Sequence, residues 1–155
     1  MNLNEFSKIV SLYRKSAPIV IVCVGSTKIL SDCFGPIVGH ILCEKHNLNA
    51  YVYGTLASPI NAVNLISSLE EIKQRHEKSK IICVDSFEPR NCTKDEIRFI
   101  NGPIKPGLAS GKNLPPVGDV SIISASAKTK SNSYCLGKIY ALASITAKII
   151  DYSLR

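Results

Sequence analysis

Runs of apolar, β-branched residues recur along the chain and predict buried strands. The three strongest are 18–24 (PIVIVCV), 80–85 (KIICVD) and 120–124 (VSIIS). Continuous apolar runs of strand length are typical of a sheet that is covered on both faces. Two weaker runs, 49–55 and 96–100, predict a short strand and a partly exposed strand. The pattern therefore predicts five strands.

Apolar residues at helical spacing predict four helices around these strands. The predicted ranges are 1–15, 35–46, 59–78 and 132–155. In the third helix the predicted buried face consists of Val63, Ile66, Leu69 and Ile72. The alternation of strands and helices predicts one α/β domain over residues 1–155, a three-layer α/β/α sandwich around a largely parallel sheet. Function in such sheets collects beyond the carboxyl ends of the strands.

The composition is that of a globular chain. Of its 155 residues 45% are hydrophobic and 20% charged, and no apolar run reaches the roughly 18–20 residues of a membrane span. The N-terminus has no apolar stretch typical of a secretion signal. The six cysteines include no CxxC pair, which favours reduced thiols over disulfides or zinc. We therefore expect a cytoplasmic protein without membrane contact.

The net charge of +7 raises the question of nucleic acid. The lysines and arginines are scattered and the few aromatics are not interleaved with them, so no stacking platform for bases is visible. A solvated basic surface is the simpler interpretation. An acidic protein partner is the alternative, and homo-oligomerisation stays open.

Two aspartates lie at or after the ends of the runs 18–24 and 80–85. Asp85 ends the run 80–85, and Asp32 lies in the loop after the run 18–24, just before a predicted helix. Asp32 could simply cap that helix, and Asp85 could hold a turn. If the two strands are neighbours, however, the carboxyl groups face one crevice and titrate as a coupled pair. Such a pair can activate water or weakly hold a divalent metal.

Two other motifs are weaker. GLASGKN (residues 107–113) is one residue short of a phosphate-binding loop and has no Ser or Thr after Lys112. Cys33 could be a nucleophile at a helix N-terminus, but no histidine lies at a strand end to act as its base.

Several segments together resemble the sporulation protein YyaC family. They are VCVGSTKILSDCFGPIVGHIL, YVYGTLASPINAVNL, IICVDSFEPR and GPIKPGLASGKNLPPVGD, in that family's order and followed by its terminal helix. The family is in turn distantly similar to the spore germination protease and the hydrogenase maturation endopeptidases, to which SDCFGP, CVDSF and IKPGLASG correspond. The resemblance spans about residues 20–150.

This resemblance implies a phosphorylase/hydrolase-like fold with a mixed five-stranded sheet, whose antiparallel strand we expect at Glu96–Ile100. It also matches Asp32 and Asp85 to the two essential aspartates of the germination protease. The implied function is a peptidase that hydrolyses a protein substrate in the forespore or mother cell of an endospore-forming bacterium. The rival is a non-catalytic sporulation scaffold that keeps the fold.

The surrounding loops suggest the substrate-binding residues. The amides of Gly25, Ser26 and Thr27 could donate to the oxyanion. Lys105 and Lys112, on the long loop, could hold an acidic substrate or could simply be solvated.

The chain departs from the family at two positions. Ala57 and Asn61 stand where the family commonly has an acidic residue and a histidine, and no histidine lies near residues 124–130. No cofactor is therefore certain, and the identity of any metal is open.

Overall fold

The central sheet has five strands in the order β2-β1-β3-β5-β4. Their bounds are β1 (Ile19–Cys23), β2 (Tyr51–Tyr53), β3 (Lys80–Ser86), β4 (Glu96–Ile100) and β5 (Val120–Ala125). The computed structural model describes residues 1–45, 47–89, 92–107 and 111–155. β1, β2, β3 and β5 run parallel, and β4 pairs antiparallel with β5. The predicted position of the antiparallel strand is confirmed.

Helices cover both faces of the sheet. They are α1 (Leu3–Ser16), α2 (Phe34–Cys43), α3 (Leu65–Arg75) and α4 (Leu136–Ser153). Alternate β1 residues point to opposite faces: Ile21 packs in the cluster with α1, α2 and α4, whereas Val22 packs with α3. Val117, from the connection between β4 and β5, packs in the same buried cluster as the apolar residues of α3. The three-layer sandwich is therefore as predicted.

The third helix differs from its prediction. It begins at Leu65 rather than Pro59, because the preceding residues form a turn in which the Asn64 side chain accepts from the Asn61 N–H and donates to the Pro59 carbonyl. Its buried residues are Leu65, Leu69 and Ile72. Val63 and Ile66, predicted to be buried, are exposed. The predicted end of α2 at residue 46 lies outside the described residues, and α2 ends at Cys43.

Two glycines let α2 lie directly on the sheet. A Cβ at Gly35 would overlap the carbonyl oxygen of Val24, and a Cβ at Gly39 would overlap that of Gly54. Any side chain at these positions would push the helix away from β1 and β2. The glycines of the FGPIVG segment therefore set the position of the loop that carries Asp32.

None of the four helices combines the length and the apolarity that crossing a bilayer requires, within the described ranges.

Candidate active site

The two predicted aspartates lie at the carboxyl ends of neighbouring strands. β1 and β3 pair in register, with Cys23 opposite Val84, so the chain that follows each strand emerges at the same edge of the sheet. Asp85 is buried, with 8% of its surface exposed. Asp32 is half-buried, and its carbonyl accepts from the Ser26 N–H at 2.9 Å, which closes the loop after β1.

Ser86 connects the two carboxyl groups. Its backbone N–H donates to Oδ1 of Asp85 at 2.8 Å, and its hydroxyl donates to Oδ1 of Asp32 at 3.2 Å. One residue thus bonds to both aspartates with two different donors. The arrangement brings together the side chains that the sequence predicts as a pair.

Asp32 does not cap the helix that follows it. It ends a 3-10 turn (Leu30–Asp32), and the N-cap of α2 is Cys33, which makes no side-chain capping bond. The side chain of Asp32 instead accepts from Ser86 at the end of β3. The helix-cap interpretation of this residue is therefore wrong.

Burial raises the pKa of Asp85 to about 8. The Ser86 N–H, which favours the ionised form, opposes this shift, and the nearby charge of Asp32 adds to it. The raised pKa favours the protonated form of Asp85 at neutral pH, and Oδ1 accepts the amide bond.

Burial also raises the pKa of Asp32, but stronger opposing contacts surround this group. The Ser86 hydroxyl and the Ser26 backbone amide lower the pKa, and the charge of Glu88 raises it. Asp32 is more exposed than Asp85 and has a hydroxyl donor that Asp85 lacks. Burial thus raises the pKa of both carboxyl groups, against two hydrogen-bond donors at Asp32 and one at Asp85.

The predicted oxyanion donors are only partly available. The Gly25 N–H donates to the Ile60 carbonyl at 2.8 Å, and the Ser26 N–H is engaged by Asp32. Both amides are therefore bonded within the chain, and a substrate contact by these two residues stays a prediction. The Thr27 N–H has no acceptor within the described parts of the chain, and its loop position is exposed. Thr27 stays a prediction as an oxyanion donor.

The two predicted loop lysines, Lys105 and Lys112, are exposed. Neither forms an ion pair with another described residue, and neither donates to Asp32 or Asp85. Residues 108–110 of the same loop lie outside the described residues. A role for these lysines in holding substrate stays a prediction.

Cys33 lies beside Asp32 in an environment that disfavours a thiolate. Burial raises the pKa of the Cys33 thiol, and the charge of Asp32 raises it further. A reactive cysteine needs the opposite surroundings. The structure therefore favours the carboxyl pair over Cys33 as the chemical centre.

The sequence did not indicate a further group of interacting side chains near the aspartates, formed by Glu88, Tyr134 and Lys128. The Tyr134 hydroxyl donates to Glu88 at 2.8 Å, and the Lys128 ammonium lies 5.2 Å from the centre of the Tyr134 ring. Burial and the bond to Glu88 raise the pKa of Tyr134 to about 12. Glu88 could have been found from its position in the IICVDSFEPR motif, whereas nothing in the local sequence marks Tyr134 as its partner.

The residues present do not fit a three-ligand metal site. No group of three or more His, Cys, Asp or Glu side chains lies together within the described residues. Ala57 is exposed on its loop, and the Asn61 side chain accepts from the Val63 N–H at 2.9 Å, so it serves the local turn. Two carboxyl groups remain, and two ligands are a weak set for a divalent ion, which takes about six or more oxygen ligands.

A comparison with protein-family models finds a match to almost the whole chain. A family model described as "Protein of unknown function (DUF1256)" matches residues 1–151. The chain belongs to this family. It is 38% identical over 114 residues to the uncharacterized protein YyaC of Bacillus subtilis (strain 168), an alignment that covers 72% of this chain and 56% of that protein. The predicted YyaC resemblance is confirmed, although the chain spans only somewhat more than half of that relative's length.

A solved structure supports the fold. The NiFe hydrogenase maturation protease HycI from Thermococcus kodakarensis KOD1 superposes with a TM-score of 0.52. The superposition covers 92% of this chain and 98% of that one, at 14% sequence identity. At this identity the similarity shows the fold alone. The predicted hydrogenase maturation protease-like architecture is confirmed.

Proposed function

We propose that this protein is a peptidase that hydrolyses a protein substrate through Asp32 and Asp85. The observation that carries the proposal is the bridge through Ser86, which ties the carboxyl groups of Asp32 and Asp85 together at one edge of the sheet. Paired carboxyl groups with separated pKa values are what general acid–base hydrolysis requires. The protease-like fold supports the assignment.

In this proposal Asp85 is the general acid. Its burial keeps a proton on the carboxyl group at neutral pH. That proton passes to the amine of the scissile peptide bond as the carbon–nitrogen bond breaks. A carboxyl group that were ionised at neutral pH could not supply it.

Asp32 is the general base. In its ionised form it accepts a proton from water, and the resulting hydroxide oxygen bonds to the substrate carbonyl carbon. The Thr27 N–H supplies a donor for the carbonyl oxygen as negative charge develops there. After cleavage Asp32 holds the proton taken from water, and its return to Asp85 restores the starting state.

The biological setting is also part of the proposal. The relative in Bacillus subtilis and the resemblance to a sporulation family support action in the cytoplasm of the forespore or mother cell. The exposed Lys105 and Lys112 offer positive charge to an acidic part of a protein substrate. The chain's overall charge of +7 agrees with such a partner.

The test compares the wild-type chain with Asp32→Asn and Asp85→Asn. Each purified protein is incubated with a protein extract of sporulating Bacillus subtilis, and newly formed protein N-termini are identified by mass spectrometry. We expect new N-termini with the wild type and none above background with either variant. Asp151→Asn is the matched control, because Asp151 pairs with Arg155 on α4, away from the site. Equal cleavage by all four proteins would exclude the mechanism.

A second function is favoured by one observation. The two positions at which the family carries further polar groups hold Ala57 and a turn-forming Asn61, so the centre is reduced to its carboxyl pair. A non-catalytic sporulation scaffold with this fold would show no cleavage by the wild type. In that case a strain carrying Asp32→Asn would sporulate normally, whereas a strain without the protein would not.

A further inference from the structure

Exposed apolar side chains lie on the segments that follow β1 and β2. Ile29 and Leu30 project from the loop after β1, and Leu56 from the loop after β2. Val63, two residues before α3, and Ile66, the second residue of α3, are 88% and 54% exposed. Isolated apolar residues are normal on a surface, whereas apolar residues on adjoining segments can form a binding patch.

The two loops adjoin each other. Val24 and Ile60 form a parallel bridge, and the Gly25 N–H donates to the Ile60 carbonyl. The Ser26–Asp32 bond then closes the first loop, so that Ile29 and Leu30 project from it between these two residues. The segment after β2 therefore meets the loop that carries Asp32. We call Ile29, Leu30, Leu56, Val63 and Ile66 the apolar loop surface.

The second of these loops carries no charge. The segment from Tyr51 to Leu69 contains no Asp, Glu, Lys or Arg, in a chain that has 31 such residues (19 basic and 12 acidic). Lys28 is the one charged residue between Gly25 and Asp32. An acidic protein or a nucleic acid would gain little binding free energy at this surface, because both are recognised through positive charge. An uncharged apolar partner fits the surface.

We infer that the apolar loop surface binds an uncharged, apolar segment of the substrate polypeptide beside the bond that Asp32 and Asp85 cleave. The identity of this occupant rests on the proposed function, because continuity with the aspartate pair is what connects the surface to substrate. Burying Val63 and Ile66 against apolar side chains would release water from both partners. The surface would thus select substrates for aliphatic or aromatic residues near the cleaved bond.

The experiment measures binding without cleavage. The probe is a fluorescent twelve-residue peptide with Leu, Ile and Phe at alternate positions and no charged side chain. Two matched peptides carry Glu or Lys at those positions. Fluorescence polarisation is recorded in the Asp85→Asn background, with and without Val63→Ser plus Ile66→Ser. The control is Leu12→Ser plus Ile145→Ser, which removes exposed apolar residues from α1 and α4.

We expect the apolar peptide to bind at least ten-fold more weakly to the Val63/Ile66 variant than to the control variant. We also expect the Glu and Lys peptides to bind more weakly than the apolar one to the parent protein. Equal binding by both variants, or preferential binding of a charged peptide, would overturn the inference. Circular dichroism melting checks that each variant is folded, and the exposure of all four residues makes folding defects small.

A second copy of the chain is the competing occupant. Sedimentation would then show a dimer that Val63→Ser plus Ile66→Ser converts to a monomer, with no peptide binding, and this result would also overturn the inference. Failure of the proposed function has a different signature. The apolar peptide would bind as expected, while the wild type would cleave neither this peptide nor any extract protein.

Discussion

The hydroxyl of Ser86 donates a hydrogen bond to a carboxylate oxygen of Asp32, at 3.2 Å and across 54 positions of the chain. The bond joins the end of β3 to the loop after β1. Because the same residue donates its N–H to Asp85, the side chain and the backbone of Ser86 act on different members of the pair. The two bonds can therefore be removed separately.

Replacing Ser86 by Ala removes the hydroxyl and leaves the backbone N–H in place. We expect the pKa of Asp32 to rise, because a donor that stabilises the ionised form is lost. The measurement is an NMR titration of ¹³C-labelled aspartate carboxyl groups. If cleavage is detected, its activity at acidic pH should fall relative to that at neutral pH.

Two variants control this experiment. Ser86→Thr keeps a hydroxyl and should restore the lower pKa of Asp32. Ser121→Ala removes a hydroxyl that donates to the Gly102 carbonyl elsewhere on the sheet, and it should leave Asp32 unchanged. An Asp32 pKa that is the same in the wild type and in Ser86→Ala would contradict the assigned role.

Replacing Glu88 by Gln should shift Asp32 in the opposite direction. The negative charge of Glu88 raises the pKa of Asp32, so its removal should lower that pKa. Because Glu88 is exposed, the effect should be largest at low ionic strength and should shrink at high salt. The same NMR titration, run at two salt concentrations, checks both statements. A salt-independent shift would point to rearrangement of the Tyr134 contact instead.

The buried Asp85 should make the protein less stable as the pH rises. The folded chain holds the Asp85 proton up to about pH 8, whereas an unfolded chain releases it near the usual value of 3.8. Between these values the folded state binds more protons, so the free energy of unfolding falls with increasing pH. The slope contributed by one proton is at most about 1.4 kcal/mol per pH unit.

Asp85→Asn should flatten this dependence. Urea unfolding between pH 5 and 8, with pH values spaced by about one unit, measures the slope in both proteins. Asp151→Asn is the control, because the Arg155 hydrogen bond lowers the pKa of Asp151 and confines its own effect to more acidic pH. An identical slope in the wild type and Asp85→Asn would show that Asp85 is ionised in the folded protein.

Two glycines at equivalent helix positions should respond oppositely to alanine. Gly35 is the second residue of α2, and its Cβ would overlap the Val24 backbone, so Gly35→Ala should destabilise the protein by about 2 to 4 kcal/mol. Gly137 is the second residue of α4, and its Cβ would meet only the Cys135 sulfur at 3.8 Å. Gly137→Ala should therefore stabilise by about 0.5 to 1 kcal/mol. Urea denaturation of both variants provides the comparison.

The strands could be predicted from the sequence because their apolar runs are local signals. β4 lies at Glu96–Ile100 as predicted, and its antiparallel direction followed from the family resemblance. The start of α3 could not be predicted in the same way. Pro59 is typical of a first helical turn, but here the pairing of Ile60 with Val24 takes that segment into the turn instead.

The site was predictable in location and not in detail. Strand ends followed by Asp32 and Asp85 indicated the crevice, provided that the strands were neighbours. The contacts that set protonation depend on distant segments: Ser86 meets Asp32, and Tyr134 meets Glu88, 46 positions away. The spacing of apolar residues indicates which face of a strand is buried, but it does not indicate which loops are in contact beyond the end of the strand.

The pairing of β1 directly with β3 has a consequence for the protein during its synthesis. β2 and α3 lie between these strands in the chain, and both must be made before Asp85 emerges from the ribosome. Until then a chain that already contains Asp32 has no partner carboxyl group. The two carboxyl groups therefore come together only when the sheet assembles, so that the proposed centre does not exist in a nascent chain.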